Sequence, residues 1–300
     1  QENPLFIDPN SPTQRVGDIV KSFETEPHEL RMYSLDNSYD QEDLRDWEIR
    51  IKKVLEDIPL EYTCELKYDG ASISLTYEKG ILQKALTRGD GFQGDNVTAN
   101  IRTIKSIPLK LKGNYPSHFE IRGEVVMPFE GFHKMNEQRL ANGEEPFMNP
   151  RNTASGSLKI QNPHLAAKRP LDCLLYHIAG EHKGIQSQYE FLEKARSWGF
   201  KVPNTSKKCN NLAAVYEFID YWDTARHELP YETDGVVIKI DNLQHQAQLG
   251  YTSKSPRWAM AYKFKAEKVS TVFKSIDYQV GRTGALTPVA NLSPVLLAGT

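Results

Sequence analysis

Three strand-like runs follow one another between residues 61 and 88, with almost no chain to spare between them. In the first, Tyr62, Cys64, Leu66 and Tyr68 alternate with Thr63, Glu65, Lys67 and Asp69. Gly70 ends it, Ala71–Tyr77 makes the second, and Glu78-Lys79-Gly80 turns the chain into the third, Ile81–Arg88. A turn that short permits only an antiparallel hairpin, because parallel strands need a crossover of about a dozen residues. The period of two also puts Glu65, Lys67 and Asp69 on one side of the first run. A cation between two carboxylates on one strand face is either a solvated ladder of charges or a site. Gly70 directly after it admits a ligand close to the backbone.

Other elements follow from the same rules. Leu44, Trp47, Ile51, Val54 and Leu55 recur at helical spacing between Asp40 and Asp57, which predicts an amphipathic helix. Ser34-Leu35-Asp36-Asn37 reads as a turn ahead of it, Ser38 and Gln41 as its capping box, and Pro59 as its stop. Strands are expected at 118–127, 171–179, 235–240, 258–266 and 270–280, and helices at about 130–141, 187–198 and 211–226. Strand pairs and helices mix without a βαβ rhythm, so the fold class is α+β, with mostly antiparallel sheets flanked by helices. The chain from about 269 onward reads as strand and turn, the truncated start of a small β-barrel. Residues 1–20 are polar and carry Pro4, Pro9 and Pro12, as a linker or the remnant of an upstream segment does. The expected division is therefore 1–20, 21–268 and 269–300. A start at Gln1 and a stop at Leu297-Ala298-Gly299-Thr300 suggest a piece of a longer protein.

Charge and cysteine usage narrow the function. The net charge is −2, so any nucleic acid must be met through a local patch. Cys64, Cys173 and Cys209 have neither zinc nor redox spacing, and an odd number argues against a disulfide framework. Each is expected to pack as a small apolar residue in a reducing compartment. No run is apolar enough to span a membrane, and residues 1–30 lack a signal-peptide core.

Several further patterns bear on chemistry. Gly89-Asp90-Gly91-Phe92-Gln93-Gly94 matches G-x-G-x-x-G. The strand before it belongs to a hairpin, so a glycine turn carrying Arg88 toward a phosphate is a better reading than a dinucleotide fold. Glu120, Arg122 and Glu124 share a strand face, with Gly123 allowing close approach. Glu124 there can accept a ribose hydroxyl or hold a water on Mg²⁺. Asp234-Gly235-Val236-Val237-Ile238-Lys239 sets an acid at a turn and a lysine at the end of an apolar strand, and Lys263 and Lys265 share a later strand face. Lys67, Arg88, Lys239 and Lys263 together would gather around a phosphate. Tyr176, in Leu174-Leu175-Tyr176-His177-Ile178, is either core or a ring face for a purine.

With Lys-x-Asp-Gly, Arg122-Gly123-Glu124, Asp234–Lys239 and Lys263 in this order, the chain resembles the covalent nucleotidyltransferase superfamily, which includes DNA ligases, RNA ligases and mRNA capping enzymes. Five further motifs look like the NAD-dependent bacterial DNA ligases. They are Ser34–Asn37, Thr87–Gly91, Asn149-Pro150-Arg151-Asn152 with Ala154–Ser157, Pro256–Ala259, and Val280-Gly281-Arg282-Thr283-Gly284. The resemblance implies an adenylation fold followed by an OB-like barrel. It implies Lys67 as the nucleophile adenylated by NAD, Asp69 as its orienting group, and Lys239 and Lys263 on the α-phosphate. Glu65 and the Leu66 backbone would meet adenine, Tyr176 would stack on it, and Arg88 and Glu124 would hold ribose and phosphate. Ser34 and Leu35 would complete the nucleotide pocket. Asp234 and Glu124 would act through Mg²⁺, with Mn²⁺ as a substitute. Arg151, Lys159, Arg226 and Arg257 match positions near phosphate or DNA, although the family often has Arg where Lys159 stands, so a bidentate fork is lost there. Nicked duplex DNA would be the partner of the longer protein, a cytoplasmic monomer whose zinc lies in a domain outside this chain. An ATP-dependent ligase or capping enzyme, and a non-catalytic nucleic-acid-binding module, remain open at this point.

Overall fold

The computed structural model describes residues 15–17, 19–20, 22–56, 58–180, 184–265, 269–281 and 284–295. Residues 1–14 of the expected linker, residues 266–268 at the expected boundary, Arg282 and Thr283 of the last motif, and the terminal 297–300 lie outside the described residues. The chain divides between Phe264 and Lys265 into two compact units.

The first unit opens with β1 (Thr25–Pro27), β2 (Asp36–Ser38), α1 (Gln41–Leu55), β3 (Tyr62–Tyr68), β4 (Ala71–Glu78), β5 (Ile81–Thr87) and β6 (Gln93–Asp95). It continues through α2 (Thr98–Ile101), β7 (His118–Val126), α3 (Phe129–Ala141), α4 (Pro150–Leu158), α5 (Pro163–Ala166) and β8 (Asp172–Ala179). Last come α6 (Gln188–Ser197), β9 (Lys207–Cys209), α7 (Leu212–Ala225), β10 (Thr233–Ile240), α8 (Leu243–Leu249) and β11 (Ala259–Lys263).

Two sheets carry the unit. One has the order β2-β11-β10-β3-β9, the other β5-β4-β7-β8. All pairings in them are antiparallel except β2 with β11. The α+β expectation therefore holds, and the hairpin of β4 and β5 turns at Lys79 and Gly80, both with positive φ. The strand before it does not extend that hairpin: β3 and β4 lie in different sheets, and the chain crosses between them at Asp69-Gly70.

Each sheet buries its own core. Leu44, Trp47, Ile51 and Leu55 of α1 and Val215, Phe218 and Ile219 of α7 pack on Tyr62, Cys64, Leu66, Val236 and Ile238. Phe191, Leu192 and Ala195 of α6 pack with Ile73, Leu75, Tyr77, Ile121 and Leu175 of the other sheet. All three cysteines are free and buried. None of the described helices is long and apolar enough to cross a membrane.

Several local expectations fail. Asp40, not Ser38, caps α1 by accepting from the Asp43 N–H at 2.9 Å, while Asp43 accepts from the Tyr39 N–H at 2.9 Å. Ser38 belongs to β2, whose parallel ladder with Met260–Tyr262 also takes Asp36 and Asn37 out of the expected turn. Such a partner, more than two hundred residues away, leaves no local trace. Val54 is 46% exposed because the buried stripe of α1 runs through Leu44, Trp47, Ile51 and Leu55 and leaves it to one side. The helix closes at Glu56, in the left-handed region at φ 55°, before Pro59 is reached. Lys265 does not share a strand with Lys263, since β11 ends there and Phe264 turns into the core.

The second unit contains β12 (Phe273–Val280) paired antiparallel with β13 (Leu286–Leu292). Every residue of β12 is exposed.

Candidate active site

The two sheets enclose a cavity of about 680 Å³. Glu65, Lys67, Lys239 and Lys263 reach it from the five-stranded sheet, and Ser72, Arg122, Glu124 and Tyr176 from the other. Its making depends on two Asp-Gly steps. A Cβ on Gly70 would stand 2.2 Å from the Val125 carbonyl oxygen, and one on Gly235 would stand 2.1 Å from that of Tyr262. Both positions accept only glycine, so Asp69 and Asp234 are each followed by the residue that lets the backbones close up.

Lys67, near the end of β3, donates to both carboxylate oxygens of Asp234 at 3.0 Å. Lys263 stands 3.9 Å from the same carboxylate. Asp69, expected to orient Lys67, instead pairs with Arg151 of α4 at 2.8 Å. Burial pushes the Asp69 carboxyl up, and Arg151 opposes that. The lysine's immediate partner is therefore Asp234, which comes from an irregularity in the neighbouring strand, one residue before Gly235, the register partner of Lys67.

Deeper in, Lys239 is 4% exposed and stands 2.7 Å from Glu65 Oε1. It also donates to the Tyr176 carbonyl at 2.6 Å. Burial lowers the ammonium's pKa and raises the carboxyl's, and their attraction opposes both shifts. An ammonium has three donors; two are engaged here, and the third has no hydrogen-bond partner among the described residues. Gln188, at the start of α6, donates to Glu65 Oε1 at 3.0 Å and to the Tyr176 carbonyl at 2.9 Å.

Glu124 accepts from the Ser72 hydroxyl at 2.7 Å. It opens onto the cavity but is surrounded by protein, and the loss of solvent pushes its carboxyl up to about 7. Arg88 lines the cavity from a turn pinned by the chain at 28–33: His28 Nε2 lies 3.1 Å from the Arg88 carbonyl, and the Met32 N–H donates to Gly91 at 2.9 Å. The glycine motif thus follows hairpin strand β5, and its last two residues belong to β6, which pairs with β1. Ser34, Leu35 and Leu66 line the same cavity. So does Lys159, which pairs with Asp95 at 2.7 Å.

Three expected residues do not line the cavity: Asp234, which meets it only through Lys67 and Lys263, and two arginines. Arg226 sits over the Phe264 ring at 4.5 Å and donates to the Thr233 carbonyl at 3.3 Å. Arg257 donates to the Leu249 carbonyl at 3.3 Å. Neither lines the cavity. The sequence reading missed Ser72 and Gln188. Ser72 follows the crossing glycine by two residues and was findable; Gln188 meets Glu65 across 123 positions and was not. No group of three His, Cys, Asp or Glu with metal-binding geometry occurs among the described residues.

Comparison with known proteins agrees with this arrangement. Residues 20–267 match the family model of the NAD-dependent DNA ligase adenylation domain, and residues 270–300 match that of the NAD-dependent DNA ligase OB-fold domain. A DNA ligase of Flavobacterium johnsoniae is 65% identical over 300 residues, covering 100% of this chain and 45% of that protein. DNA ligases of Flavobacterium psychrophilum and Christiangramia forsetii are 64% and 63% identical, again over 100% of this chain and 45% of each relative. The chain thus spans less than half the length of the relatives it matches. Family models that together cover most of the chain, and identities this high, establish that the chain belongs to the NAD-dependent DNA ligase adenylation family, with residues 270–300 matching that family's OB-fold domain.

Proposed function

We propose that this chain carries out the nucleotide-adenylating half of NAD-dependent DNA ligation. One observation carries the reading: Lys67 lines a nucleotide-sized cavity together with two further lysines, Lys239 and Lys263, and among the described residues pairs with Asp234 alone. Lys67 Nζ attacks the α-phosphorus of NAD. The N–P bond forms, the bond to the β-phosphate oxygen breaks, and nicotinamide mononucleotide leaves. The amine attacks only after losing a proton, and Asp234 is the nearest acceptor at 3.0 Å. Negative charge spreads over the phosphoryl oxygens in the transition state, where Lys239, Lys263 and Arg88 offset it without rearrangement. Glu65 and the Leu66 backbone read the adenine edge, Tyr176 stacks on the ring, Glu124 holds the ribose, and Ser34 and Leu35 close the pocket.

The donor set fits Mg²⁺ in one way only. Mg²⁺ keeps most of its waters and takes one or two carboxylates beside substrate phosphates. Glu124 and Asp234 suit that outer role, and neither they nor any described neighbour forms a closed cage. When bound, the ion supplies charge neutralisation at the phosphates.

In the longer protein, AMP passes to the 5′-phosphate of a DNA nick and the 3′-hydroxyl displaces it. There Asp69, through Arg151, and Lys159, Arg226 and Arg257 serve the phosphate and the DNA path. We assign 21–268 to adenylation, 269–300 to the OB fold and 1–20 to a link with an upstream segment, in a monomeric cytoplasmic enzyme. The test is intact mass of the longer protein after incubation with NAD or with ATP. An AMP adduct from NAD, mapped to Lys67, is expected; an adduct from ATP alone, or on another residue, would refute the assignment.

A further inference from the structure

We propose that Gln188 is a positioning residue that fixes Glu65 as a hydrogen-bond acceptor toward the purine, and thereby sets the choice of adenine over guanine; the proposal rests on the adenylation reading above. Gln188 is 0% exposed, and its backbone is tied by an N–H donated to the Asp241 carbonyl at 2.7 Å. Its side-chain amide gives one N–H to Glu65 Oε1 and the other to the Tyr176 carbonyl, at 3.0 and 2.9 Å. Lys239 meets the same two acceptors. The four groups form a closed knot, in which both internal donors land on Oε1 of Glu65. The other oxygen, Oε2, has no partner among the described residues, on a side chain that lines the cavity.

The orientation of the amide is not free. Turned over, it would aim its oxygen at a carboxylate and a carbonyl, two acceptors with nothing to donate. As it stands, the Gln188 oxygen is buried without a hydrogen-bond partner. A buried carbonyl left unpaired is costly, so the donor end accounts for the residue's place here.

What the donor end does follows from the two forms of a carboxyl. Ionised, it only accepts; protonated, it also donates. Adenine presents an amine at the edge where guanine presents a carbonyl. An ionised Glu65 therefore selects adenine, and a protonated one tolerates guanine. Burial favours the protonated form, while the bonds from Lys239 and Gln188 favour the ionised one. Bonded to Glu65 are Lys239 from β10 and Gln188 from α6, both of which also meet the Tyr176 carbonyl of β8; on its own strand the Tyr68 hydroxyl and the Cys64 thiol lie within electrostatic range. Lys239 has a phosphate to meet as well. Gln188 does not line the cavity, so it can be changed without touching the ligand.

The experiment is calorimetry of AMP and GMP binding on this chain and on Gln188→Met, which keeps length and volume but removes both donors, between about pH 6 and pH 8.5. The unaltered chain should prefer AMP by a ratio that stays flat across the range. Gln188→Met should lose about tenfold or more of that preference. The loss should deepen as pH falls, toward the ratio shown by Glu65→Gln, which is neutral at every pH. A folded Gln188→Met, judged by its melting curve, with the ratio unmoved at every pH overturns the role of Gln188 alone. If that variant does not fold, the unaltered chain decides: a ratio that collapses on acidification overturns the proposal, and a flat one supports it. No AMP binding by the unaltered chain would overturn the adenylation reading and this inference with it.

Discussion

Strands β3 and β10 each contribute one lysine and one carboxylate, and the two pairs they form differ sharply in setting. The side chains of Glu65 and Lys239 are 7% and 5% exposed, while those of Lys67 and Asp234 are 27% and 29% exposed. The first pair is locked by further bonds to Gln188 and the Tyr176 carbonyl. The second has no further side-chain bond among the described residues, with Lys263 at its margin. A pair that must recognise a ligand gains from being fixed, whereas a pair whose lysine must give up a proton and form a new bond has to come apart. On the proposed roles, exposure separates Glu65, which reads the base, from Lys67, which reacts, while Lys239 joins the two.

The sharpest test of that division is Lys67→Arg. It keeps the charge and the partner but offers no neutral amine near physiological pH. In the longer protein it should abolish the AMP mass adduct while noncovalent AMP binding persists; an adduct that survives removes Lys67 from the reaction. Next in size is the stability contrast. Lys239→Met strands a buried carboxylate and should cost about 3–5 kcal/mol in urea unfolding. Asp234→Asn breaks the more open pair and should cost about 1 kcal/mol or less. Equal losses would erase the distinction between the pairs.

Glu124 is the cleft carboxylate with no ion-pair partner among the described residues, and it sharpens the comparison through pH. Its carboxyl is raised from 4.5 to about 7. The folded state therefore binds a proton that the unfolded state releases, and stability falls as pH rises from 4.5 to about 7, by at most about 3 kcal/mol. Glu124→Gln should flatten that slope in melting curves across the range. A slope that survives the substitution belongs to another group. The smallest effect is expected at Tyr176→Ala, where lost stacking should weaken AMP and GMP alike by about 1–3 kcal/mol in calorimetry. A change in their ratio as large as the one expected at Gln188 would merge stacking with edge recognition.

What the sequence disclosed depended on the range of the interaction. The hairpin of β4 and β5 and the apolar stripe of α1 repeat within a few residues, so alternation and helical period reveal them. The nucleophile candidate was visible because Lys67, Asp69 and Gly70 adjoin. Its partner was not visible, because Asp234 meets Lys67 only through the register of β3 with β10. The same limit explains the misplaced cap of α1, where the ladder with Met260–Tyr262 claimed Ser38. Helix α4 escaped for another reason: Asn149 caps it by accepting from the Asn152 N–H at 2.8 Å, and Pro150 starts it. Its polar, small residues show no apolar period.

The paired Asp-Gly steps at 69–70 and 234–235 bear on any attempt to move this site to another scaffold. Each glycine passes a carbonyl where no side chain fits, Gly70 against Val125 of β7 and Gly235 against Tyr262 of β11, so main-chain approach sets how the Lys67 end of β3 meets the other sheet and how near Asp234 comes to the strand of Lys263. A host with the same four charged side chains on strands without these approaches would not reproduce how the two sheets and β11 meet around them. A successful transplant would have to carry the two narrow crossings along with the charges, which makes the smallest portable unit a piece of backbone.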